Sequence, residues 1–367
     1  MASVSEYNKL AETYRGKRVL VTGHTGFKGA WLSIFLHNLG AKVYGYSLPP
    51  KANEMLYLDT KNHQVFSGEC FADVADKNDF ELFFKEVSPN FVFHLAAQPI
   101  VLDSYNAPYE TFYSNVMGTV SVLDALRGFN GKCVAIIVTT DKCYENMEQV
   151  WGYRESDRLG GHDPYSASKA CAELVAKSYE ASFFNSSGKG QKIFVATARA
   201  GNVVGGGDYS KHRIIPDIVR SLSRDEVISV RSPTSVRPWQ HVLETIYGYS
   251  LLAWSMANTE EEIQGGSWNF GPVGLSTVTV LDLVERSVAR WGQGTYQISE
   301  STKGLKETSI LKLCVDKSVE HLDWRPNWDF EETLDKTIDW YKAVHVNNQQ
   351  PMKVTLEDIQ SYFGVEA

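Results

Sequence analysis

Tyr165 and Lys169 stand four residues apart in "DPYSASKACAELV", a spacing that sets a phenol and an ammonium one above the other on a single helix face. A free tyrosine titrates near ~10, so one that works as a base at neutral pH needs roughly three units of depression, about 4 kcal/mol. A neighbouring ammonium shifts it in that direction. A second group lies in "VTTDKCYEN", where Thr140 is followed by the acid Asp141 and the base Lys142. That pair reads either as a local ion pair at a strand end or as a proton donor and acceptor placed side by side. For the second reading the ordinary values, near ~3.9 for a carboxyl and ~10.4 for an amine, stand the wrong way round. Asp141 must then rise and Lys142 must fall, which burial of both would achieve, or the two roles are exchanged.

The third group is the triplet Gly23, Gly26 and Gly29 in "VTGHTGFKGAWL". Glycine at i, i+3 and i+6 between a strand and a helix serves where backbone must take positive φ and approach a pyrophosphate, which rests on the positive end of the helix. The context is a nucleotide-binding turn. His24 and Lys28 inside it are placed to touch cofactor phosphates. At the end of the second strand "VYGYSLPP" offers Tyr46 and Ser47, with neither an acid for a ribose nor an arginine for a 2′-phosphate, and NAD is expected over NADP.

These residues need elements to hold them. Val19–Val21 is a short β-branched run, the glycine turn follows, and apolar residues at helical spacing end at Gly40. Further strands are expected in "AKVYGYSL", around Val65–Phe66, in "NFVFHLAA", in "CVAIIVTT" and in "KIFVATARA", with helical periodicity over Val116–Leu126 and Ser166–Phe183. Asp163 suits an N-cap and Pro164 the first helical position. The alternation predicts an α/β fold, a Rossmann-type doubly wound parallel sheet covered on both faces. Beyond about Gly201 the pattern changes to loops rich in Gly, Pro and Trp, which predicts a smaller, interleaved substrate lobe over residues 201–367. The dinucleotide domain is expected over residues 1–200, with a return segment near 237–265.

The chain has 367 residues, 43% of them hydrophobic and 22% charged, and a formal charge of -8 spread without blocks. No basic stripe points to a nucleic acid or a membrane surface, and no apolar run approaches the ~20 residues of a span. "MASVSEYNKLAETYRGKRV" lacks an apolar signal core, so a cytoplasmic location is expected. The five cysteines are dispersed without a CxxC pair, which argues against a disulfide framework and against a zinc site; no metal is expected. Cys143, beside the Asp-Lys pair, reads as a packing thiol.

Taken with "HLAAQP", "SNVMGTV", "VWGYRE", "RAGNVVGGGD", "IIPDI", "RPWQHV" and "WNFGP", these motifs run over nearly the whole chain. They resemble the nucleotide-sugar 4,6-dehydratases of the extended short-chain dehydrogenase/reductase superfamily, and among them the branch acting on CDP-D-glucose. The resemblance implies a tightly bound NAD and a three-step reaction. Tyr165 takes the proton of the sugar's 4-hydroxyl as the C4 hydride leaves, water is lost across C5 and C6, and the hydride returns to C6, giving a CDP-4-keto-6-deoxyglucose. Epimerases of the superfamily need only Thr140, Tyr165 and Lys169; the added Asp141 and Lys142 mark a dehydratase, with Asp141 as acid and Lys142 as base. Relatives acting on other nucleotides carry glutamate in place of Lys142.

By the same resemblance Gly23, His24, Thr25, Gly26, Phe27, Lys28, Gly29, Asp73, Val74, Leu95, Ala96, Ala97, Gln98, Asn115, Tyr165 and Lys169 surround the cofactor. Gln98, Ser104, Asn202, Arg213, Pro216, Arg237, Trp239 and His241 surround the nucleotide sugar. An arginine fork suits phosphate oxygens. Asp103 stands where relatives have arginine. Trp151, Tyr153 and Glu155 lie on the approach to the catalytic helix, and His94 reads equally as a core histidine. A homodimer or a dimer of dimers is implied, through the helix after Asn115 and the helix carrying Lys169. The alternatives are a dehydratase or epimerase for a dTDP-, UDP- or GDP-sugar, and a sensor that keeps the fold without the reaction.

Overall fold

The computed structural model describes residues 2–51, 55–60, 64–184, 192–258, 265–273, 278–299 and 311–366. Eleven strands lie among them: β1 (Arg18–Thr22), β2 (Lys42–Ser47), β3 (Phe66–Phe71), β4 (Phe91–His94), β5 (Cys133–Val138), β6 (Ile193–Ala200), β7 (Val203–Val204), β8 (Ile228–Val230), β9 (Gln240–His241), β10 (Gly265–Phe270) and β11 (Tyr296–Ile298). Seven form one parallel sheet in the order β10-β6-β5-β4-β1-β2-β3. The order reverses beside β1, and a crevice opens at the carboxyl ends of the strands on either side of such a reversal. The small pairs β7 with β9 and β8 with β11 stand apart from it.

The central strands are apolar on both faces, as a sheet covered by helices requires. Val19 and Val21, Phe91 and Phe93, and Val134, Ile136 and Val138 point into one core; their neighbours Leu20, Val92, Ala135 and Ile137 point into the other. The period-two alternation therefore divides apolar from apolar rather than apolar from polar. Toward the edge the pattern weakens: β3 reads "FSGECF" and is only half-buried. That is why an apolar run marks only its beginning, near Val65–Phe66, while the strand continues to Phe71.

The helices follow their expected faces with shifted ends. The helix after Asn115 runs Gly118–Arg127, preceded by a π-turn at Tyr113–Met117, and the helix carrying Tyr165 runs Pro164–Tyr179 before a second π-turn. Asp163 caps the latter, accepting from the Ser166 N–H at 2.9 Å.

Two segments beyond Gly201 return to the sheet. The nearly wholly buried helix Val242–Asn258 packs against the helix Phe27–Asn38 and β5, and β10 completes the sheet beside β6. Residues 259–264 of the expected return segment lie outside the described residues. The last helix, Pro351–Phe363, also packs against the helix Phe27–Asn38, with Phe363 stacked on Phe35 at 5.4 Å.

Candidate active site

Gly23 follows β1 with φ +72°, and a Cβ there would lie 2.7 Å from the Ala96 nitrogen; a Cβ at Gly29 would lie 2.1 Å from the Gly23 oxygen. The first glycine lets the turn pass under the end of β4, and the third lets the helix Phe27–Asn38 settle on the turn. Leu95 and Ala96 close the other side, their N–H groups donating to the Thr22 hydroxyl at 3.1 and 3.2 Å. Gly26 is the N-cap and supplies no side-chain bond, so the first-turn N–H groups are left for an anion. Lys28 stands half-buried in that first turn. These are the donors and the clearance that a dinucleotide's pyrophosphate requires.

Further along the same wall, Asp73 accepts from the Ala75 N–H at 2.9 Å, and Val74 is buried against Gly118. Thr25 and Ser47 share a hydrogen bond of 2.7 Å at the end of β2, where no carboxylate stands. Asn115 ties the loop after β4 to the catalytic helix: its Oδ1 accepts from the Gln98 N–H at 2.8 Å and its Nδ2 donates to Ser168 Oγ at 2.8 Å. The Gln98 side chain is engaged in its own loop, donating to the Ile100 carbonyl and to Thr111 Oγ1 at 3.0 Å each.

Thr140, Asp141 and Tyr165 come together beyond β5, all three buried. The Thr140 hydroxyl donates to Asp141 Oδ1 at 3.0 Å and accepts from the Lys142 N–H at 3.3 Å. Asp141 lies flat against Gly201, where a Cβ would fall 1.8 Å from its Oδ2. Burial raises the Asp141 carboxyl above its usual range, against the pull of Lys142, Thr140, Lys28 and Arg237. Lys142 departs from the expectation that both residues are buried: it is exposed. Burial pushes Tyr165 up to about 12, with Thr140 and Arg213 opposing. Lys169 donates to the Val138 carbonyl at 3.0 Å and is pushed down to about 8 by burial, with Glu173 holding it up.

Glu173 is a residue that the motifs do not reveal. Four positions after Lys169 on the same helix, it is fully enclosed and accepts from Arg199 Nη2 at 2.7 Å and Thr197 Oγ1 at 2.7 Å, as well as from the Thr139 hydroxyl. Arg199 also donates to the Tyr144 hydroxyl at 2.7 Å and to Ser267 Oγ at 2.9 Å. This network fastens the catalytic helix to the ends of β5, β6 and β10. Its signal was a glutamate at helical spacing from Lys169 and an arginine inside an otherwise apolar strand, each of which needs a partner once buried.

Among the described residues Lys28, Lys142 and Arg237 act on Asp141, and Arg213 and Lys169 act on Lys28. Lys28 is pushed down to about 7 by burial, then by Arg213 and Lys169, with Asp141 and Asp208 opposing. Arg213, at the N-cap of the helix Ile214–Ser223, donates to Asp208 Oδ2 at 3.0 Å, and Pro216 is buried in that helix's first turn. Asn202 holds φ +45°, and its carbonyl accepts from the Gln240 N–H at 3.3 Å. Tyr153 and Glu155 hold the loop before the catalytic helix, with Glu155 accepting from the Asn269 N–H at 2.9 Å; Trp151 is 66% exposed.

Three expected contacts are corrected. His24 has no exposed surface: its Nε2 lies 3.0 Å from Glu69 Oε1 within a cage of Tyr57, Phe66 and Phe71, because Gly45 opposite it leaves room for the ring. Ser104 is fully buried and donates to the Val101 carbonyl at 2.7 Å, a turn within its own helix. His241 is enclosed between Trp31 and Trp328 and pushed down to about 3 by burial, a core side chain rather than a pocket wall. Trp239 joins the same core.

His94 is likewise a core residue, its Nδ1 2.8 Å from Thr22 Oγ1. Cys143 is buried and burial pushes its thiol up, so it is no nucleophile. Among the described residues no group of three His, Cys, Asp or Glu side chains is placed to hold a metal, and no helix is long and apolar enough to cross a membrane.

Comparison with known proteins sets these features in a lineage. The family model for GDP-mannose 4,6 dehydratase matches residues 20–337. A CDP-glucose 4,6-dehydratase of Salmonella typhimurium is 42% identical over 331 residues, covering 90% of this chain and 92% of the relative. A dTDP-glucose 4,6-dehydratase of Streptomyces antibioticus is 28% identical, covering 74% and 75%. Among solved structures, a dTDP-glucose 4,6-dehydratase from Streptomyces venezuelae with NAD bound superposes with a TM-score of 0.76 at 21% identity, covering 91% of this chain and 99% of that one.

Proposed function

The chain belongs to the GDP-mannose 4,6 dehydratase family, and on that premise we propose that it is a CDP-D-glucose 4,6-dehydratase working with NAD. The observation that carries this reading is the convergence of Tyr165, Thr140 and a buried Asp141, whose carboxyl burial raises above its usual range, with Lys142 adjacent, beside a pyrophosphate cradle. A 4-epimerase has no use for the last two residues. The bound NAD supplies the chemistry of a hydride acceptor at the sugar's C4 and of a hydride donor at C6.

The chain's residues do the rest. Lys28, Arg213 and Arg237 are the cations available to the two phosphates of the nucleotide, where a guanidinium fork serves a diphosphate best. Tyr165 takes the 4-hydroxyl proton. The new 4-keto group acidifies C5–H, Asp141 protonates the departing 6-hydroxyl, and Lys142 removes the C5 proton. Asp141 suits an acid because burial already favours its neutral form.

The exposed Phe112, Tyr113 and Met117 beside Asn115, and Leu174 on the catalytic helix, support a homodimer through these helices.

Incubating the purified protein with CDP-, dTDP-, UDP- and GDP-linked glucose, without added reductant, tests the assignment. A 4-keto-6-deoxy product from CDP-D-glucose alone is expected. A C4 epimer, or a preference for another nucleotide, overturns it.

A further inference from the structure

Asp208 puts a negative charge close to where a diphosphate is expected to bind. Its side chain is almost fully enclosed, and its Oδ2 accepts from Arg213 Nη1 at 3.0 Å. Arg213 keeps 35% of its side chain exposed, and among the described residues no hydrogen bond engages its Nε or Nη2. Its charge acts on Lys28 of the helix Phe27–Asn38 and on Tyr165 of the catalytic helix, so it belongs to the cleft. By charge alone a carboxylate beside phosphates weakens their binding, because like charges repel. What Asp208 offers in return is geometry.

The turn that carries Asp208 is held on several sides. Its Oδ1 accepts from the Ser210 N–H at 3.0 Å, and its carbonyl accepts from the Tyr341 hydroxyl at 2.6 Å. Tyr341 is fully buried on the helix Phe330–His345. Two residues before Asp208, the Gly206 carbonyl accepts from Trp31 Nε1 at 2.8 Å, a donor on the helix Phe27–Asn38. A Cβ at Gly206 would fall 2.0 Å from the Trp340 ring, and Gly207 takes φ +82°, so the turn lies tightly against its neighbours. A guanidinium bonded to a carboxylate on such a turn is fixed with it.

We propose that Asp208 is a positioning residue for diphosphate recognition: bonded to one amino group of the Arg213 guanidinium, it holds the fork so that the opposite edge meets a phosphate of the nucleotide sugar. The inference rests on the nucleotide-sugar reading of the cleft and adds the group that aims the arginine. The edge formed by Nε and Nη2 presents the paired donors that a phosphate takes from arginine. A free arginine side chain loses rotamer freedom when it binds, whereas one already held loses little, and that avoided cost appears as affinity.

The repulsion and the positioning have opposite effects on binding, so removing the charge tells them apart. Asp208→Asn keeps the shape of the side chain and, through Oδ1, the bond from the Ser210 N–H. The NAD-loaded wild type is titrated by calorimetry with CDP, dTDP, UDP and GDP, and the NAD-loaded variants with whichever it binds most tightly. Asp208→Asn should bind that nucleoside diphosphate about three- to tenfold more weakly. Tyr341→Phe, which loosens the turn without changing a charge, should also weaken binding. On an Arg213→Met background neither substitution should weaken it further, because the arginine through which both act is gone. In turnover the loss should fall on KM more than on kcat.

The assignment is overturned if either variant binds as tightly as the wild type or more tightly, if the loss persists undiminished on the Arg213→Met background, or if kcat carries it. Tightest binding of a nucleotide other than CDP would refute the substrate assignment and leave the test of Asp208 in force. No binding of any of the four by the wild type would refute the nucleotide-sugar reading itself, and the role of Asp208 with it.

Discussion

Replacing Glu173 by glutamine should unfasten the catalytic helix without touching a substrate-facing group. Glu173 and Arg199 form a salt bridge at 2.7 Å with side chains only 1% and 3% exposed. Removing one partner of such a pair strands the other charge in the interior, which costs about 3–5 kcal/mol, a large share of the ~5–15 kcal/mol that typically holds a domain together. Replacing both partners by apolar residues strands nothing, so Glu173→Leu with Arg199→Met should recover most of the loss. Urea denaturation of the single and double variants, followed by circular dichroism, measures both quantities. A second readout separates positioning from mere stability. Glu173 holds the Lys169 ammonium up, and Lys169 loses its charge as pH rises through about 8. With glutamine at 173 the alkaline loss of activity should begin at lower pH. A Glu173→Gln variant less than about 1 kcal/mol destabilised, or a double variant as unstable as the single one, would refute this account of the network.

Gly201→Ala would set a Cβ 1.8 Å from the Asp141 carboxylate, and turnover of a folded variant should fall on the order of a hundredfold, as misplacement of a reacting group by about 1 Å does. Lys142→Met should abolish exchange of C5 deuterium into solvent during turnover; undiminished exchange removes Lys142 as the base. Glu244 is fully enclosed, accepts from the N–H groups of Asn327 and Trp328 and from the Tyr362 hydroxyl, and is pushed up to about 7 by burial. A carboxyl raised on folding binds its proton more tightly in the native state, so its contribution to stability is present below its unfolded value, near 4.5, and falls as pH rises toward 7. Glu244→Gln should flatten that dependence in denaturation midpoints measured from pH 5 to pH 8; an unchanged slope counts against it.

Much of the fold was legible because its information is local. The run Cys133–Val138 is apolar at every position, and only a strand buried on both faces uses such a run in so few residues. The glycine turn announced itself by spacing, and its clearances of 2.1 and 2.7 Å show why no side chain is tolerated there. Asp163 and Pro164 marked the start of the catalytic helix and hold it as expected. Where residues face both core and solvent the signal faded: β3 is half-buried, and β10, "GGSWNF", carries too few apolar residues to mark itself as part of the sheet. Side-chain direction was less legible still. His24, Ser104 and His241 lie in or beside informative motifs, yet each turns into the interior: neighbours distant in sequence cage the two histidines, and Ser104 bonds back to Val101 in its own helix.

What the sequence by itself determined was the inventory: a strand, a glycine turn and a helix for a dinucleotide, and Thr140, Asp141, Lys142, Tyr165 and Lys169 as the candidate reacting groups. Those follow from residue type and near-neighbour spacing, which a chain carries without being folded. Only the tertiary structure decided that Asp141 is buried while adjacent Lys142 is exposed, that Gly201 backs the carboxylate, and that Glu173 on the catalytic helix meets Arg199 on β6. Charge, burial and proton affinity depend on what surrounds a group in space, and for these residues the surroundings come from segments up to roughly a hundred positions away.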